Sequence, residues 1–309
     1  MRYLILIFIF LALQSQGQKQ VYLFSYFTDN GQDGLHLAYS NDGLRWESLN
    51  GGIALVAPTV GKDKLMRDPI ILQAIDGVFH MVWTSSWNER QIGYTSSKDL
   101  IHWSEQKAIP VMAHEPTAKN CWAPEMVYDP ENKNYIIFWA TTIPGRHSDV
   151  ASSESEKGLN HRMYCTTTSD FKNFSPTKLF FNPGFSVIDA TIFPKDHSYY
   201  LFLKNENSNP PEKNIRLTRS EHAAGPYPIL VSAPITGNYW AEGPTALEVG
   251  EYVYVYFDKY RDHQYGAVRT KNMKDWEDVS EQVTFPQGVR HGTAFKVSDK
   301  IFSKLIQLK

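Results

Sequence analysis

The sequence feature that most constrains the fold is a pattern that occurs five times. Each copy has an aromatic-rich apolar segment, a second apolar segment, a Ser/Thr-x-Asp/Asn turn and a closing aromatic residue. The copies lie at 22–46, 79–103, 135–174, 199–227 and 252–276, and the fourth is the most degenerate. Their closing aromatic residues are 49 to 71 residues apart, the length of a four-stranded blade with its loops.

A second set of short apolar segments precedes the copies, each opened by a charged residue beside Pro, Gly or Ala. These segments lie at 67–76, 122–129, 188–196, 242–250 and 290–298. The last has no copy after it, and the first copy has no segment before it. Residues 291–298 are therefore predicted to form the innermost strand of the blade begun by 22–46, which closes the ring and removes unpaired edges.

Helical periodicity is nearly absent from the sequence, since no window of a dozen residues keeps an i, i+3, i+4, i+7 apolar stripe. The sequence therefore predicts an all-β fold, a five-bladed β-propeller closed by its C-terminal strand. One such domain accounts for residues 18–309, and we expect it to be a monomer.

The first 17 residues have the pattern of a signal peptide. Arg2 precedes an apolar run from Tyr3 to Leu13, and small or polar residues follow at 15–17. This run is too short to span a bilayer. The pattern predicts export to the periplasm or the extracellular space, with no membrane association after cleavage.

Charge and cysteine content exclude several classes of partner and scaffold. With 31 Lys and Arg against 33 Asp and Glu and no basic cluster, nucleic acid and anionic membranes are not expected partners. Only Cys121 and Cys165 are present. One disulfide could form in an oxidising compartment, but two buried free thiols are favoured.

Charged residues at the starts of the second set of segments should meet on one face of the propeller, because innermost strands run roughly parallel around the channel. They are Asp68, Glu125, Asp189, Glu242 and His291. Acidic groups gathered there repel one another, which raises the proton affinity of at least one and indicates a function. Two carboxylates across a sugar can cleave its glycosidic bond, and a third can adjust the acid. Spacing alone leaves the four carboxylates unranked.

Aromatic and basic residues beside these positions suit a carbohydrate ligand. Trp87, Trp122 and Trp240 could stack their flat faces on sugar rings. Arg67 and Arg290 precede Asp68 and His291 in sequence. They either pair with the carboxylates or bind substrate.

Five motifs in order at blade spacing carry a family resemblance. They are RDP (67–69), WAPE (122–125), IDATIF (188–193), AEGP (241–244) and RHG (290–292). This set resembles glycoside hydrolase family 43, five-bladed propellers that remove arabinose or xylose from plant polysaccharides. The resemblance implies an inverting enzyme with Asp68 as general base, Asp189 as pKa modulator and orienter, and Glu242 as general acid. It leaves Glu125 as a ligand of substrate hydroxyls.

The resemblance also bears on His291. In the family this histidine points into the channel beneath the substrate and often contacts a calcium ion or its water. A structural calcium at His291 is the one cofactor that the resemblance suggests, although the sequence has no Asp-rich calcium loop. The reaction itself is expected to require no cofactor.

Several functions remain open at this stage. An α-L-arabinofuranosidase is the first choice of activity, with β-xylosidase, endo-xylanase, arabinanase and galactofuranosidase as alternatives on the same scaffold. The related fructan-hydrolysing propellers also contain RDP, but the Asn-Asp-Pro and Glu-Cys motifs that they need are absent here. A carbohydrate-binding propeller without catalysis is the rival from another class. Convergence of Asp68, Asp189 and Glu242 on one pocket would favour the enzyme.

Overall fold

The computed structural model describes residues 20–147, 158–207 and 210–308. Its strands form five antiparallel sheets, and the predicted signal peptide lies outside the described residues. The first sheet contains β1 (Val21–Phe27), β2 (His36–Ser40) and β3 (Glu47–Ser48). The second contains β4 (Arg67–Gln73), β5 (Phe79–Thr84), β6 (Ile92–Ser97) and β7 (Lys107–Ile109). The third contains β8 (Trp122–Asp129), β9 (Asn134–Thr142), β10 (His161–Thr168) and β11 (Lys178–Phe181).

The remaining strands complete the ring. The fourth sheet contains β12 (Val187–Lys195), β13 (Ser198–Asn205) and β14 (Asn214–Ser220). The fifth contains β15 (Glu242–Val249), β16 (Tyr252–Lys259), β17 (Gln264–Thr270) and β18 (Glu277–Asp278). β19 (Arg290–Val297) returns to the first sheet, and α1 (Asp299–Leu305) follows it. Short 3-10 turns lie at Asn50–Gly52 and Ser280–Gln282.

The ring closes between the two ends of the chain. β19 pairs antiparallel with β1, from Val297 opposite Val21 to Arg290 opposite Phe27. The innermost strands β4, β8, β12, β15 and β19 contact one another in that order, and β19 contacts β4. The predicted five-bladed β-propeller, with closure by the C-terminal strand, is confirmed.

The Ser/Thr-x-Asp/Asn signature forms the turn after the third strand of a blade. Ser40 Oγ accepts the backbone N–H of Gly43 at 2.9 Å, and Asp42 Oδ1 accepts those of Leu44 and Arg45 at 2.8 and 2.9 Å. The pairs Ser97/Asp99, Thr168/Asp170 and Thr270/Asn272 repeat this arrangement. Such side chains replace a backbone partner that a tight turn cannot provide.

The fourth blade departs from this pattern in sequence and in structure. Its turn reads Ser220-Glu221-His222, so no Asp or Asn is present to accept the later N–H groups. Among the described residues this blade has three strands, whereas the other four blades have four. The most degenerate copy of the repeat is thus the blade whose described residues form no outer strand.

Side chains of β9 show how the blades pack. Tyr135, Ile137 and Trp139 pack on the second blade, and Ile136, Phe138 and Ala140 pack on the fourth. This alternation is expected for a strand that is buried on both faces. Each large apolar side chain buried in this way contributes about 1.5–3 kcal/mol, so the stability of the propeller lies mainly between its blades.

The C-terminal helix covers the outside of the first blade. Ser298 caps it by accepting from the N–H of Ile301, and the ring of Phe302 contacts that of Tyr39. No helix in the described part of the chain is long and apolar enough to cross a bilayer. Cys121 and Cys165 are both buried and free, as the sequence favoured.

Candidate active site

Each innermost strand begins with an interruption in its pairing, at the same place in every blade. The register shifts beside Arg67, Trp122, Ile188, Glu242 and Arg290. In four blades the next residue is left-handed, with φ of 52° at Asp68, 44° at Ala123, 51° at Asp189 and 60° at Gly243. A bulge of this kind redirects a side chain and is common beside active sites. The repeat therefore aims one or two side chains per blade at the mouth of the channel.

These side chains meet around one cavity of about 140 Å³. Seven of the ten sequence-predicted site residues line it: Arg67, Asp68, Trp87, Trp122, Asp189, Glu242 and His291. Thr84, Ile188, Lys204 and Glu206, which the sequence reasoning missed, line it as well. The three predicted carboxylates come from the second, fourth and fifth blades, so only the closed ring brings them together.

Asp68 is held in one direction by two neighbours. Thr84 Oγ1 donates to Asp68 Oδ2 at 2.7 Å, and the same hydroxyl accepts the N–H of Ala123 at 2.8 Å. His291 Nδ1 lies 3.4 Å from Asp68 Oδ1. Burial opposes ionisation, but His291, Arg67 and Thr84 outweigh it and hold the pKa of Asp68 at about 2. This carboxylate is therefore ionised throughout the neutral range.

The pKa of Asp189 is shifted in the opposite direction, although Asp189 lies beside the same histidine. Its Oδ2 accepts the N–H of Gly243 at 3.2 Å, and its Oδ1 lies 4.0 Å from His291 Nδ1. Burial raises the pKa of Asp189 to about 7, against the lowering influence of His291. His291 is buried too, but the charges of Asp189 and Asp68 raise its pKa to about 9. One carboxylate that holds a proton near neutrality thus lies beside one that does not.

Two glycines make room for this arrangement. A Cβ on Gly243 would lie 2.4 Å from the ring of His291, and φ there is +60°. A Cβ on Gly292 would lie 1.6 Å from the carbonyl oxygen of Ser25. The glycines of the AEGP and RHG motifs therefore allow close packing at the site.

Glu242 is paired with two cations. Lys204 Nζ donates to its Oε2 at 2.9 Å, and Arg290 Nη2 donates to its Oε1 at 3.1 Å. Each cation has a further acidic partner, Glu206 for Lys204 at 2.8 Å and Asp258 for Arg290 at 2.5 Å. Burial and the charge of Glu242 raise the pKa of Asp258 to about 6. The fifth-blade side of the cavity is therefore a network of alternating charges.

Three polar residues that the sequence reasoning missed occupy the same place in their blades. Thr84, Lys204 and Asp258 lie at or near the end of the second strand of their blades, opposite Arg67, Ile188 and Glu242 in the hairpin pairing. A signal was present, since each is a polar residue that ends an apolar segment. Antiparallel pairing places the end of a second strand beside the start of the first.

The aromatic and basic predictions divide between the cavity and its surroundings. The Arg67 guanidinium carbon lies 4.4 Å from the Trp87 ring centroid and 4.5 Å from that of Phe27. Trp122 Nε1 donates to the backbone carbonyl of Trp87 at 3.0 Å, and the two indole rings meet edge to face with centroids 5.5 Å apart. Trp240 is not part of the cavity lining, and its ring lies 3.5 Å from the guanidinium carbon of Arg261.

Glu125 also lies outside the cavity lining. It is three residues further along β8 than Trp122 and only 4% exposed. Burial raises its pKa to about 8, although the charge of His291 and hydrogen bonds from Met126 and Thr191 oppose the shift. Glu125 is therefore a neutral group in the wall of the channel at pH 7, and its role as a substrate ligand stays a prediction.

The surroundings of His291 do not fit a calcium ion bound by protein side chains. Within the described residues, no group of three His, Cys, Asp or Glu side chains is placed to hold a metal.

Comparison with known proteins identifies the family. A model of a probable glycosyl hydrolase domain, of a family related to glycoside hydrolase family 43, matches residues 18–301. The chain belongs to glycoside hydrolase family 43. The cavity described above lies within the residues that the family model matches.

A curated protein resembles part of this chain. An α-L-arabinofuranosidase of Bifidobacterium longum is 24% identical over 185 residues, which cover 54% of the chain and 17% of that protein. The chain thus spans less than a fifth of that curated relative.

Solved structures show the same fold. An α-L-arabinofuranosidase from Lactobacillus brevis has a TM-score of 0.53 at 17% identity, covering 69% of this chain and 72% of that one. An exo-β-1,3-galactanase from Phanerochaete chrysosporium has a TM-score of 0.52 at 14% identity, covering 72% and 52%.

Proposed function

We propose that this family 43 glycosidase hydrolyses α-L-arabinofuranosyl linkages of plant-type polysaccharides or oligosaccharides by a single displacement with inversion. The observation that carries the mechanism is the convergence of Asp68, Asp189 and Glu242 on one small cavity. The arabinofuranosidase names of two relatives support arabinose as the sugar.

Asp68 is the general base in this proposal. Its carboxylate is ionised, and the Thr84 hydroxyl holds one oxygen in place. The other oxygen can receive a proton from a water molecule as that water attacks the anomeric carbon. Glu242, on the other side of the cavity, donates a proton to the departing oxygen, so that both protons move within one displacement.

Asp189 and His291 have supporting roles. Asp189 accepts from the N–H of Gly243, the residue after Glu242, so its position is tied to that of the proposed acid. When ionised, Asp189 raises the proton affinity of a neighbouring carboxyl group and offsets Lys204 and Arg290. The His291 imidazolium keeps Asp68 ionised and separates it from Asp189.

A panel of aryl glycosides tests the substrate. The mature chain is incubated with 4-nitrophenyl α-L-arabinofuranoside, β-D-xyloside, β-D-galactofuranoside and β-D-galactopyranoside, and release of nitrophenol is followed. We expect the arabinofuranoside to give the highest kcat/KM. A higher value for another glycoside would reassign the sugar, whereas no release from any of them, or from arabinose- and xylose-containing polysaccharides, would favour the non-catalytic propeller.

Product stereochemistry tests the mechanism separately. Proton NMR of the first minutes of hydrolysis should show the anomer opposite in configuration to the substrate before mutarotation mixes the two. Initial appearance of the retained anomer would refute Asp68 as a base, because retention needs a covalent intermediate.

We further propose that the protein is exported after cleavage near residue 17. The family match begins at residue 18, directly after the predicted signal peptide. Expression of the full chain with a C-terminal tag, followed by N-terminal sequencing of the released protein, tests this. A start near residue 18 is expected, and an intact Met1 in the cell-associated fraction would contradict it. Light scattering of the same sample should show a monomer.

A further inference from the structure

A second, larger cavity adjoins the proposed catalytic cavity. Its volume is about 750 Å³, and Trp87 and Trp122 line both cavities. Its other walls come from the loop after β5, the approach to β8, the end of β9 and the approach to β10, represented by Asn88, Lys119, Asn120, Thr142 and Leu159. The two indoles are thus a shared boundary, and a ligand that extends out of the smaller cavity past them enters the larger one.

The blades that line the second cavity show on which side of the catalytic cavity it lies. All of its lining residues belong to the second and third blades, or to the segments that enter and leave them. In a ring of five, the boundary between the second and third blades lies across from the fifth. Glu242 and Lys204 lie on the fifth and fourth blades, so the second cavity is on the opposite side of the site from the proposed acid.

The position of the second cavity relative to Glu242 decides which part of a substrate could occupy it. In an inverting displacement, the leaving group departs next to the acid while water arrives on the side of the base. The leaving part of the substrate therefore lies toward Glu242. A group that lies past Trp87 and Trp122, on the side away from Glu242, would then belong to the non-reducing side of the sugar whose bond is cleaved.

We propose that the second cavity is a glycone-side subsite that binds the sugar unit preceding the cleaved residue. This deepens the proposed function and rests on it. The enzyme then acts best on a glycone of two or more sugars and releases a product longer than a monosaccharide.

The lining has the chemistry of a sugar subsite. Trp87 is 36% exposed and offers part of an indole surface for C–H contacts. Asn120 is buried and held by Thr142, whose N–H donates to its Oδ1 at 3.0 Å. Its Nδ2 also lies 3.5 Å from His161 Nδ1, so Asn120 shapes the wall of the cavity. The exposed side chains of Asn88 and Lys119 provide the polar groups for ring hydroxyls. Most small-molecule sites combine an apolar wall with a few fixed polar groups in this way.

Chain length provides the test. Steady-state kinetics compare 4-nitrophenyl α-L-arabinofuranoside with the 4-nitrophenyl glycoside of α-1,5-arabinobiose, which has the same leaving group. We expect kcat/KM to be about tenfold or more higher for the disaccharide glycoside, since binding of a remote unit assists the chemical step. Arabinobiose rather than arabinose should be the first sugar seen by mass spectrometry.

A variant that fills the cavity localises the effect. Leu159→Trp should remove most of the advantage of the disaccharide glycoside and leave the monosaccharide glycoside within about twofold of the unchanged enzyme. Ile229→Trp, which adds the same bulk at an exposed position, is the matched control and should leave both rates unchanged. Thermal unfolding of both variants checks that they fold.

The outcomes separate this inference from the proposed function. If both arabinosides are hydrolysed with equal kcat/KM, or if Leu159→Trp leaves the disaccharide advantage intact, the subsite is refuted while the glycosidase assignment stands. If Leu159→Trp instead changes the response to a longer leaving group, the cavity lies on the other side of the cleaved bond and the direction is wrong. If another glycoside of the panel is preferred, the monosaccharide and disaccharide glycosides of that sugar replace the two arabinosides in this test.

Discussion

Asp68 on the second blade and Glu242 on the fifth line one cavity, but their electrostatic settings differ. Asp68 has a histidine and a threonine as neighbours, and its ionised form is stabilised by His291, Arg67 and Thr84 together. Glu242 is bound by Lys204 and Arg290, two cations with fixed charge in the neutral range. The base side is thus prepared for its task in the free enzyme. On the acid side, both oxygens of Glu242 accept from cationic side chains.

The largest expected effect tests the base side. Asp68→Asn removes the group that accepts the proton of water, so kcat/KM should fall by about 10³-fold or more. The loss should be similar for good and poor leaving groups, because the base does not act on the departing oxygen. Asp76→Asn is the control, since an amide oxygen can still accept the N–H of Val78 in that exposed turn. Retention of a tenth of the activity would remove Asp68 from the role of base.

Glu242→Gln should slow hydrolysis to an extent that depends on the leaving group, unlike Asp68→Asn. Turnover of a glycoside with an alkyl or sugar leaving group should fall by about 10²–10³-fold, because that oxygen needs a proton. A 2,4-dinitrophenyl glycoside needs little protonation and should lose less than about tenfold. Glu248→Gln, on the same strand and paired with Lys195, is the matched control. An equal loss for both leaving groups would argue against an acid at this position.

Glu125 extends the comparison to a buried carboxyl group with a raised pKa of about 8. Between the ordinary pKa of a glutamic acid and pH 8, the folded protein holds a proton that the unfolded chain releases. Stability therefore falls as pH rises through this window, by at most about 1.4 kcal/mol per pH unit. Glu125→Gln should remove this slope and be more stable than the unchanged protein by about 2 kcal/mol or more at pH 8.

Thermal or urea unfolding from pH 5 to pH 8 measures that difference. Glu105→Gln, at an exposed position, is the control and should follow the unchanged protein at every pH. Parallel curves for Glu125→Gln and the unchanged protein would show that the buried carboxyl group does not hold its proton.

The smallest expected effect concerns the ion pair on the acid side. Lys204→Met removes the donor to Glu242 Oε2, one of the two contacts that hold this carboxyl group in place. The kcat/KM of a glycoside with a sugar leaving group should then fall by about fivefold, while a 2,4-dinitrophenyl glycoside, which needs little protonation, should lose less. Lys195→Met breaks the Lys195–Glu248 pair, which also joins β12 to β15, and should leave both rates unchanged. An equal loss for both leaving groups would contradict the idea that Lys204 positions the acid.

Local patterns in the sequence predicted much of the fold because their causes are local. The Ser40/Asp42 turn and its repeats satisfy backbone N–H groups within a few residues, so the pattern is visible without the tertiary structure. The alternation of Ile136, Ile137 and Phe138 between two neighbouring blades follows from the period of a β-strand. The starts of the innermost strands could be counted in the sequence, and their convergence on one face follows from the closed ring.

The sequence by itself determined the five blades, the closure of the ring through β19 and the placement of Asp68, Asp189 and Glu242 at the channel mouth. Only the tertiary structure decided which charges meet. Lys204 and Glu242 are 38 residues apart and lie in different blades, and Asp68 and His291 come from opposite ends of the chain. A turn is specified by neighbours along the chain, whereas the pKa of a buried group depends on every charge within a few ångströms, whatever its place in the sequence.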